Sequence, residues 1–441
     1  MRITLVKPPE NSNMNFGTFN LAVLVAGIRN IAEITILDAT EYNLTTALEK
    51  TINTQPDLVG ITTFGLSSIN QVSDFIRILR QFKSDLLIVA GGHGATMSPQ
   101  PLLNAGADAV VCGEGELTFK ELLVKGISKK IRGLALLDNG TLFKTPPRPL
   151  IPDLNGLSKP ARDLIKTPLN NNTLLETSRG CPYGCTFCET SQFYHQIWRA
   201  RSPELVMHDI QQLVNNGAII IHIVDDNFTA NPKRALRICE LIQGGDLPMF
   251  FSFSSRTDDL LEIPELIPAL AKAHFFRINT GIETLEPDLS LFIRKQISFE
   301  KHHKAIVNMK EVGIYTVGSF IMGLPGETEE MRRRSVELAV KVGIDSAEFI
   351  PFQPLPGTPM EKGSGEPEPW CIKAAAEATK EFRCHPVILK RLLRTVKEKT
   401  VRGMMARGSL FRRIKERILD PPIATLIEKK IRKIDPGFSV G

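Results

Sequence analysis

Short apolar runs recur through the first 125 residues, separated by segments of helical periodicity. Residues 3–6, 34–37, 58–62, 86–90 and 109–112 are apolar at successive positions, as strands covered on both faces are. Between or after them, residues 19–30, 45–53, 70–82 and 116–124 bring apolar side chains back at intervals of three and four. Five such units predict an α/β domain with a doubly wound, Rossmann-like parallel sheet. Ligands of such sheets bind outside the carboxyl ends of the strands. Pro8 and Pro9 stop the first strand.

The pattern breaks at 144–172, where proline, asparagine and lysine dominate (Thr145-Pro-Pro-Arg-Pro149, Leu169-Asn-Asn-Asn-Thr173). This stretch reads as an inter-domain linker. A second alternating series follows, with strands expected at 174–178, 219–224, 249–254, 275–281, 316–322 and 347–352. Helices are expected at 203–215, 232–242, 263–273, 299–312 and 329–342. Six parallel strands with crossover helices predict a six-stranded partial TIM barrel, (β/α)6, two strands short of closure. Beyond residue 365 the strands cease, and 371–383, 386–404 and 409–418 read as basic helices. The expected domains are therefore 1–143, a linker 144–172, a barrel 173–365 and a basic helical region 366–441.

Composition adds bounds rather than detail. A chain of 441 residues holds two or three domains, and no apolar run reaches the ~18 residues of a membrane span. The amino terminus has no signal-peptide pattern. Seven cysteines, three of them in one loop, argue against a disulfide framework and for a reducing cytoplasm. The net charge of +6 is uneven: residues 385–441 carry fifteen Lys and Arg against five Asp and Glu, leaving the rest slightly acidic. Basic residues in the tail interleave with apolar ones at helical spacing. A solvated helix face is the default; an acidic protein or peptide and a membrane surface are alternatives. The near-absence of interleaved aromatics argues against nucleic acid.

The chemistry concentrates in Cys181-Pro-Tyr-Gly-Cys185-Thr-Phe-Cys188, a C-x3-C-x2-C run that offers three thiols from one tight loop. Iron–sulfur clusters normally take four thiolates, so three imply a 4Fe–4S cubane with one iron open to another ligand. A structural zinc site and buried thiols are the alternatives; zinc sites usually pair C-x2-C units or recruit histidine. Cys371 and Cys384 are too few for a second cluster and read as structural thiols.

This cysteine run resembles the signature loop of the radical S-adenosylmethionine (SAM) enzymes, whose open iron chelates the amino and carboxylate groups of SAM. The remaining strand ends extend the likeness. Val224-Asp-Asp-Asn-Phe228 is similar to the element that holds the SAM amino group, which implies Asp225 and Asp226; a helix N-cap would account for only one of these carboxylates. Arg256 is the candidate partner of the methionyl carboxylate and Glu283 of the ribose hydroxyls, with surface ion pairs as the alternative for each. Gly318-Ser-Phe-Ile-Met-Gly-Leu-Pro-Gly-Glu327 resembles the glycine-rich adenine-side motif, implying Gly318 and Gly323. Phe187 completes the implied SAM contacts, and Phe352-Gln-Pro-Leu-Pro-Gly-Thr358 also resembles family members.

Placed ahead of such a barrel, the loops of the first domain resemble the cobalamin-binding domain of cobalamin-dependent radical SAM enzymes. The resemblance covers about residues 1–360, consistent with a two-domain length. It implies cobalamin contacts at Thr62, Thr63, Ser67 and Ser68, close backbone approach at Gly91, Gly92, Gly113 and Gly115, and contacts from His93 and Glu114. Phe64 or Leu66 is a candidate cap for the lower corrin face. The loop Lys7-Pro-Pro-Glu-Asn-Ser-Asn-Met14 lacks the D-x-H-x-x-G histidine that ligates cobalt in other cobalamin domains, which implies a His-off cofactor.

The resemblance therefore implies a methyltransferase using a 4Fe–4S cluster, SAM and cobalamin. A 5′-deoxyadenosyl radical abstracts hydrogen from an unactivated carbon, which then receives the methyl of methylcobalamin. A flavodoxin- or ferredoxin-type reductant, anoxic conditions and a monomeric state are expected with it. The basic tail suggests a peptide or protein substrate, with a small molecule or lipid precursor as the alternative. A non-methylating anaerobic cyclase is the rival enzyme, and a cofactor-binding regulator the rival of another class.

Overall fold

The computed structural model describes residues 1–9, 17–65, 68–165, 172–245, 247–363 and 365–398, with seven single positions beyond them. The chain divides into two compact units, one formed by 1–170, 187–200 and 354–366, the other by 171–186, 201–353 and 367–441. Among the described residues, no helix is long and apolar enough to cross a membrane.

The first unit is built on a seven-stranded sheet. Its strands are Arg2–Lys7, Glu33–Asp38, Leu58–Thr62, Leu87–Gly91, Ala109–Val111, Leu134–Asp138 and Thr141–Lys144, in the order 2-1-3-4-5-6-7. The first five run parallel. Their alternating side chains feed two cores: Val59, Ile61, Ile88, Ala90 and Val110 on one face, Leu58, Val89, Ala109 and Val111 on the other. Two-sided burial explains why these strands read as unbroken apolar runs. The order reverses between the first and third strands, which makes their carboxyl ends the topological switch point where ligands bind in open α/β sheets.

The last two strands are antiparallel and were not expected from the periodicity. Asp138 pairs with Thr141 across Asn139-Gly140, both at positive φ (51° and 80°), the type I′ geometry of a two-residue hairpin. The segment ending the expected first domain thus extends the sheet.

The second unit carries a six-stranded, all-parallel sheet in strictly sequential order. Its strands are Asn172–Leu175, Ile220–Ile223, Phe250–Ser255, Phe275–Glu283, Tyr315–Met322 and Ser346–Pro351. First and last strands do not pair, as in a barrel left open. Four crossover helices, Pro203–Asn215, Pro232–Gly244, Phe299–Glu311 and Glu329–Val342, begin on Ser202, Asn231, Ser298 and Thr328. Each of these side chains accepts the backbone N–H three residues on, satisfying a donor that the helix leaves orphaned.

The carboxyl-terminal region begins as part of this unit's core. Helix Pro369–Cys384 packs on the last strand, burying Ala375, Ala378 and Phe382, and helix Pro386–Thr395 adds Ile388 and Leu392. Basic character stays outside, at exposed Lys390 and Arg394. Most of the helix expected at 409–418, and the far end of the one expected at 386–404, lie outside the described residues.

Helix Pro369–Cys384 approaches the fifth strand where Gly323 stands at φ 95°, and a Cβ there would occupy the space of the Cys371 sulfur. Gly323→Ala should cost about 2–4 kcal/mol through overpacking and left-handed strain. Cys371→Ala in the same chain should recover part of that loss. Thermal unfolding of the single and double variants checks both; a double variant no more stable than Gly323→Ala would show that the sulfur is not the obstacle.

Candidate functional site

In the second unit the first strand stops at Leu175, short of the expected 178. Thr177 and Ser178 leave the sheet because their donors turn to one carboxylate at the end of the second strand. Asp225 accepts the Thr177 N–H at 2.6 Å, the Thr177 hydroxyl at 2.5 Å and the Ser178 hydroxyl at 2.6 Å. Asp225 is 4 % exposed, and burial pushes its pKa up against three donors that favour the ionised form. Its neighbour Asp226 is exposed and accepts the Gly180 N–H at 2.9 Å. The residues leading into Cys181 are thus pinned to the two aspartates, the buried one saturated and the exposed one still facing outward.

A second set of contacts gathers around Cys185. The Tyr183 hydroxyl donates to Asp259, whose other oxygen accepts Asn227 Nδ2 at 2.6 Å. Burial raises Asp259 to about 6. The Arg256 guanidinium lies 3.7 Å from the centre of the Tyr183 ring. Its Nε and one terminal nitrogen grip Asp258 at 3.0 and 2.8 Å. That same nitrogen reaches the Lys295 carbonyl at 3.0 Å, and the other stands 3.9 Å from Cys185 Sγ. Arg256 therefore reaches the site, but the fork expected to hold a methionyl carboxylate already holds Asp258.

Glu283 lies at a bulge at the end of the fourth strand, at φ 65°, the left-handed region that non-glycine residues avoid. Its carboxylate meets Lys295 Nζ at 3.4 Å, both side chains being buried. Thr186, between the second and third cysteines, donates its N–H to the Ile293 carbonyl at 3.1 Å. The Ile293–Lys295 segment thus touches the cysteine loop at one end and Glu283 at the other.

Gly318 and Gly323 do not join this group. A Cβ at Gly318 would press on Ile282 and Ile344 in the core, and Gly323 makes room for Cys371. At both glycines the room left by the missing Cβ is taken up by protein atoms.

Phe187 and Cys188 belong to the first unit. Phe187 is half-buried, and Cys188 forms the N-cap of helix Glu189–Phe193. Downstream, Phe193 stacks on His93 with centroids 3.9 Å apart, and Arg199 pairs with Glu114 at 2.9 Å while donating to the Ile151 carbonyl at 2.6 Å. His93 thus contacts an aromatic ring, and Glu114 is buried in an ion pair.

The other loop residues of this unit divide by role. Thr63 hydrogen-bonds the Ala95 N–H at 2.6 Å and Gly92 stands at φ 103°, where a Cβ would strike the Thr63 carbonyl. These two lock the loops of the third and fourth strands together. Thr62 accepts from Asn20 at 2.8 Å, and Ser68 donates to the Gly65 carbonyl at 2.8 Å. A Cβ at Gly91 would only touch Val111, while one at Gly115 would crowd Leu24. Phe64 is 41 % exposed, and the position a Cβ would take at Gly113 is open space. Leu66 and Ser67 lie outside the described residues, as does most of the loop after the first strand.

The residues missed from the sequence are Tyr183, Asn227, Asp258, Asp259 and Lys295 around Cys185, with Glu189 and Arg199 in the first unit. Glu189, directly after Cys188, is raised to about 7 by burial. Asp258-Asp259, two residues past the expected arginine, were the readable signal.

The donor sets fit the groups that the strand ends imply. Neither Cys181 nor Cys185 forms a disulfide, and burial raises Cys181 to about 11. Their thiolates thus need nearby positive charge; at Cys185 the larger such influence is Lys295, and that of Arg256 is opposed by Asp258. Among the described residues, no three His, Cys, Asp or Glu side chains converge on one metal position. A cubane asks for no such convergence, because each thiolate holds a different iron. Exposed Asp226 suits an ammonium. At the strand ends of the first unit the position beside Gly113 is open and Phe64 is exposed.

Comparison with known proteins agrees. Residues 12–123 match the B12 binding domain and 175–339 the radical SAM superfamily. An uncharacterized methyltransferase of Pyrococcus horikoshii is 34 % identical over 380 residues, covering 81 % of this chain and 82 % of its own. The anaerobic magnesium-protoporphyrin IX monomethyl ester cyclase of Rubrivivax gelatinosus is 28 % identical over 72 % of this chain, which spans 60 % of the cyclase. The radical SAM methyltransferase TsrM of Kitasatospora setae, solved with tryptophan and a SAM analogue, shares the fold at a TM-score of 0.69. It is 20 % identical, with 82 % of this chain and 75 % of that one covered. Two domain matches in series and a methyltransferase relative spanning most of both chains lead to one conclusion: this protein belongs to the cobalamin-dependent radical SAM enzymes and groups with their methyltransferases.

Proposed function

We propose that the chain transfers a methyl group to an unactivated carbon by a radical route. The observation that carries the reading is the cysteine run, pinned at its entrance by Asp225 and Asp226, in one chain with the glycine-laced loops of a B12-binding sheet. When bound, the cluster, SAM and cobalamin supply a hydrogen-abstracting 5′-deoxyadenosyl radical and a cobalt-borne methyl group. Cys181, Cys185 and Cys188 would hold the cluster. Asp226 would take the SAM ammonium, while Asp225 keeps Thr177 and Ser178 in place behind it. In the first unit, Thr62, Phe64, Ser68, Gly91, Gly113 and Gly115 line the strand ends that would receive cobalamin, His-off because the first-strand loop has no histidine.

Exposed Lys390 and Arg394 favour an acidic peptide or protein substrate over an apolar one. The likeness to a ring cyclase supports a second reading, in which the same radical closes a ring and no methyl is transferred.

The two aspartates should separate in experiment. Asp225→Ala should lower stability by about 2–4 kcal/mol, since three buried donors lose their acceptor. Asp226→Ala should stay within about 1 kcal/mol of wild type yet weaken SAM binding tenfold or more. Thermal unfolding and equilibrium SAM binding distinguish them, and equal stability loss in both would refute this division of roles.

Anaerobically prepared protein should contain about four irons and bind cobalamin, and Cys185→Ala should lose the iron together with all 5′-deoxyadenosine formation. With methyl-labelled SAM and an accepted substrate, label should appear in the product. A product free of label would replace methyl transfer by the cyclase reading.

A further inference from the structure

We propose that Arg256 is a positioning residue of the cluster: it holds an N–H donor on the Cys185 sulfur and thereby makes the cluster easier to reduce. The inference rests on the cluster assignment above and goes beyond it in giving the cluster a tuning group.

Both edges of the guanidinium are in use. The edge formed by Nε and one terminal nitrogen lies on the Asp258 carboxylate. The other edge is shared between the Lys295 carbonyl at 3.0 Å and Cys185 Sγ at 3.9 Å. Beneath the plane sits the Tyr183 ring at 3.7 Å, itself anchored through its hydroxyl to Asp259. Tyr183 lies between the first two cysteines, so the loop carries the platform on which its own donor rests. A planar fork held on two edges and one face keeps its direction, which a flexible ammonium would not.

Direction matters more than charge here. Arg256 and Asp258 form a close pair whose charges largely cancel, so the effect on Cys185 comes chiefly from the N–H aimed at the sulfur. Hydrogen bonds to cluster sulfurs are among the factors that set reduction potential. A donor favours the reduced cluster because reduction adds negative charge to it. Lys295, held by Glu283 at 3.4 Å, adds a second positive group to the same region. The alternative role for Arg256, gripping the SAM carboxylate, would require it to release Asp258.

The experiment uses the full chain reconstituted with cluster but without cobalamin or SAM. Iron content and the one-electron midpoint potential, followed by electron paramagnetic resonance, are compared for wild type, Arg256→Met, Arg256→Lys and Tyr183→Leu. Arg256→Met should make reduction about tenfold less favourable, a fall of about 59 mV for one electron. Arg256→Lys should fall between it and wild type, and Tyr183→Leu, which keeps every charge, should shift the same way by less. SAM affinity of Arg256→Met should stay within threefold of wild type. Any variant that loads iron to the wild-type level with an unchanged potential overturns the proposal, as does a tenfold or greater loss of SAM affinity at unchanged potential. A wild type that takes up no cluster would instead defeat the cluster assignment.

Discussion

The Asp225 carboxylate is the constraint on which the cysteine loop depends. A strand that ran on through Ser178 would spend the Thr177 N–H on the sheet ladder and carry the chain past the strand ends before the first cysteine. Because one buried carboxylate collects that N–H and two hydroxyls, the chain leaves the sheet at residue 176 and turns at Gly180, which stands at φ 83°. The carbonyl of Thr177 is tied down as well, by the Arg201 N–H and by Arg234. Three short side chains and one backbone turn thus set the starting point of the loop that we propose holds the cluster.

Around Cys185 the same economy is achieved with charge. Arg256, Asp258, Lys295 and Glu283 form two buried or half-buried ion pairs, and such pairs contribute little to stability once desolvation is counted. Their persistence beside a cysteine is better understood as a means of fixing direction. Glu283 occupies a left-handed backbone conformation to reach Lys295, and backbone strain of this kind clusters at sites whose surroundings over-determine the geometry.

Much of this was legible in the sequence. Strands buried on both faces announce themselves as apolar runs, and crossover helices announce their starts through Ser, Asn and Thr caps. The cysteine spacing and the aspartate pair identify themselves because few structures require them. What the sequence concealed was partnership. A glycine records that no side chain fits but not which neighbour excludes it; at Gly318 the neighbours are core isoleucines and at Gly323 the Cys371 sulfur. Arg256 read as available because Asp258, two residues on, gave no sign of turning back to it. The hairpin at 134–144 was readable from Asn139-Gly140 between apolar stretches.

The division of the chain bears on how such a protein can be inherited. Residues 187–200, encoded between the first two strands of the second unit, belong to the first, where Phe193 and Arg199 engage His93 and Glu114. A gene cut between residues 170 and 171 would therefore deliver a first unit without Phe193, the aromatic partner of His93, and without Arg199, the ion-pair partner of Glu114. The two halves cannot be shuffled as independent cassettes.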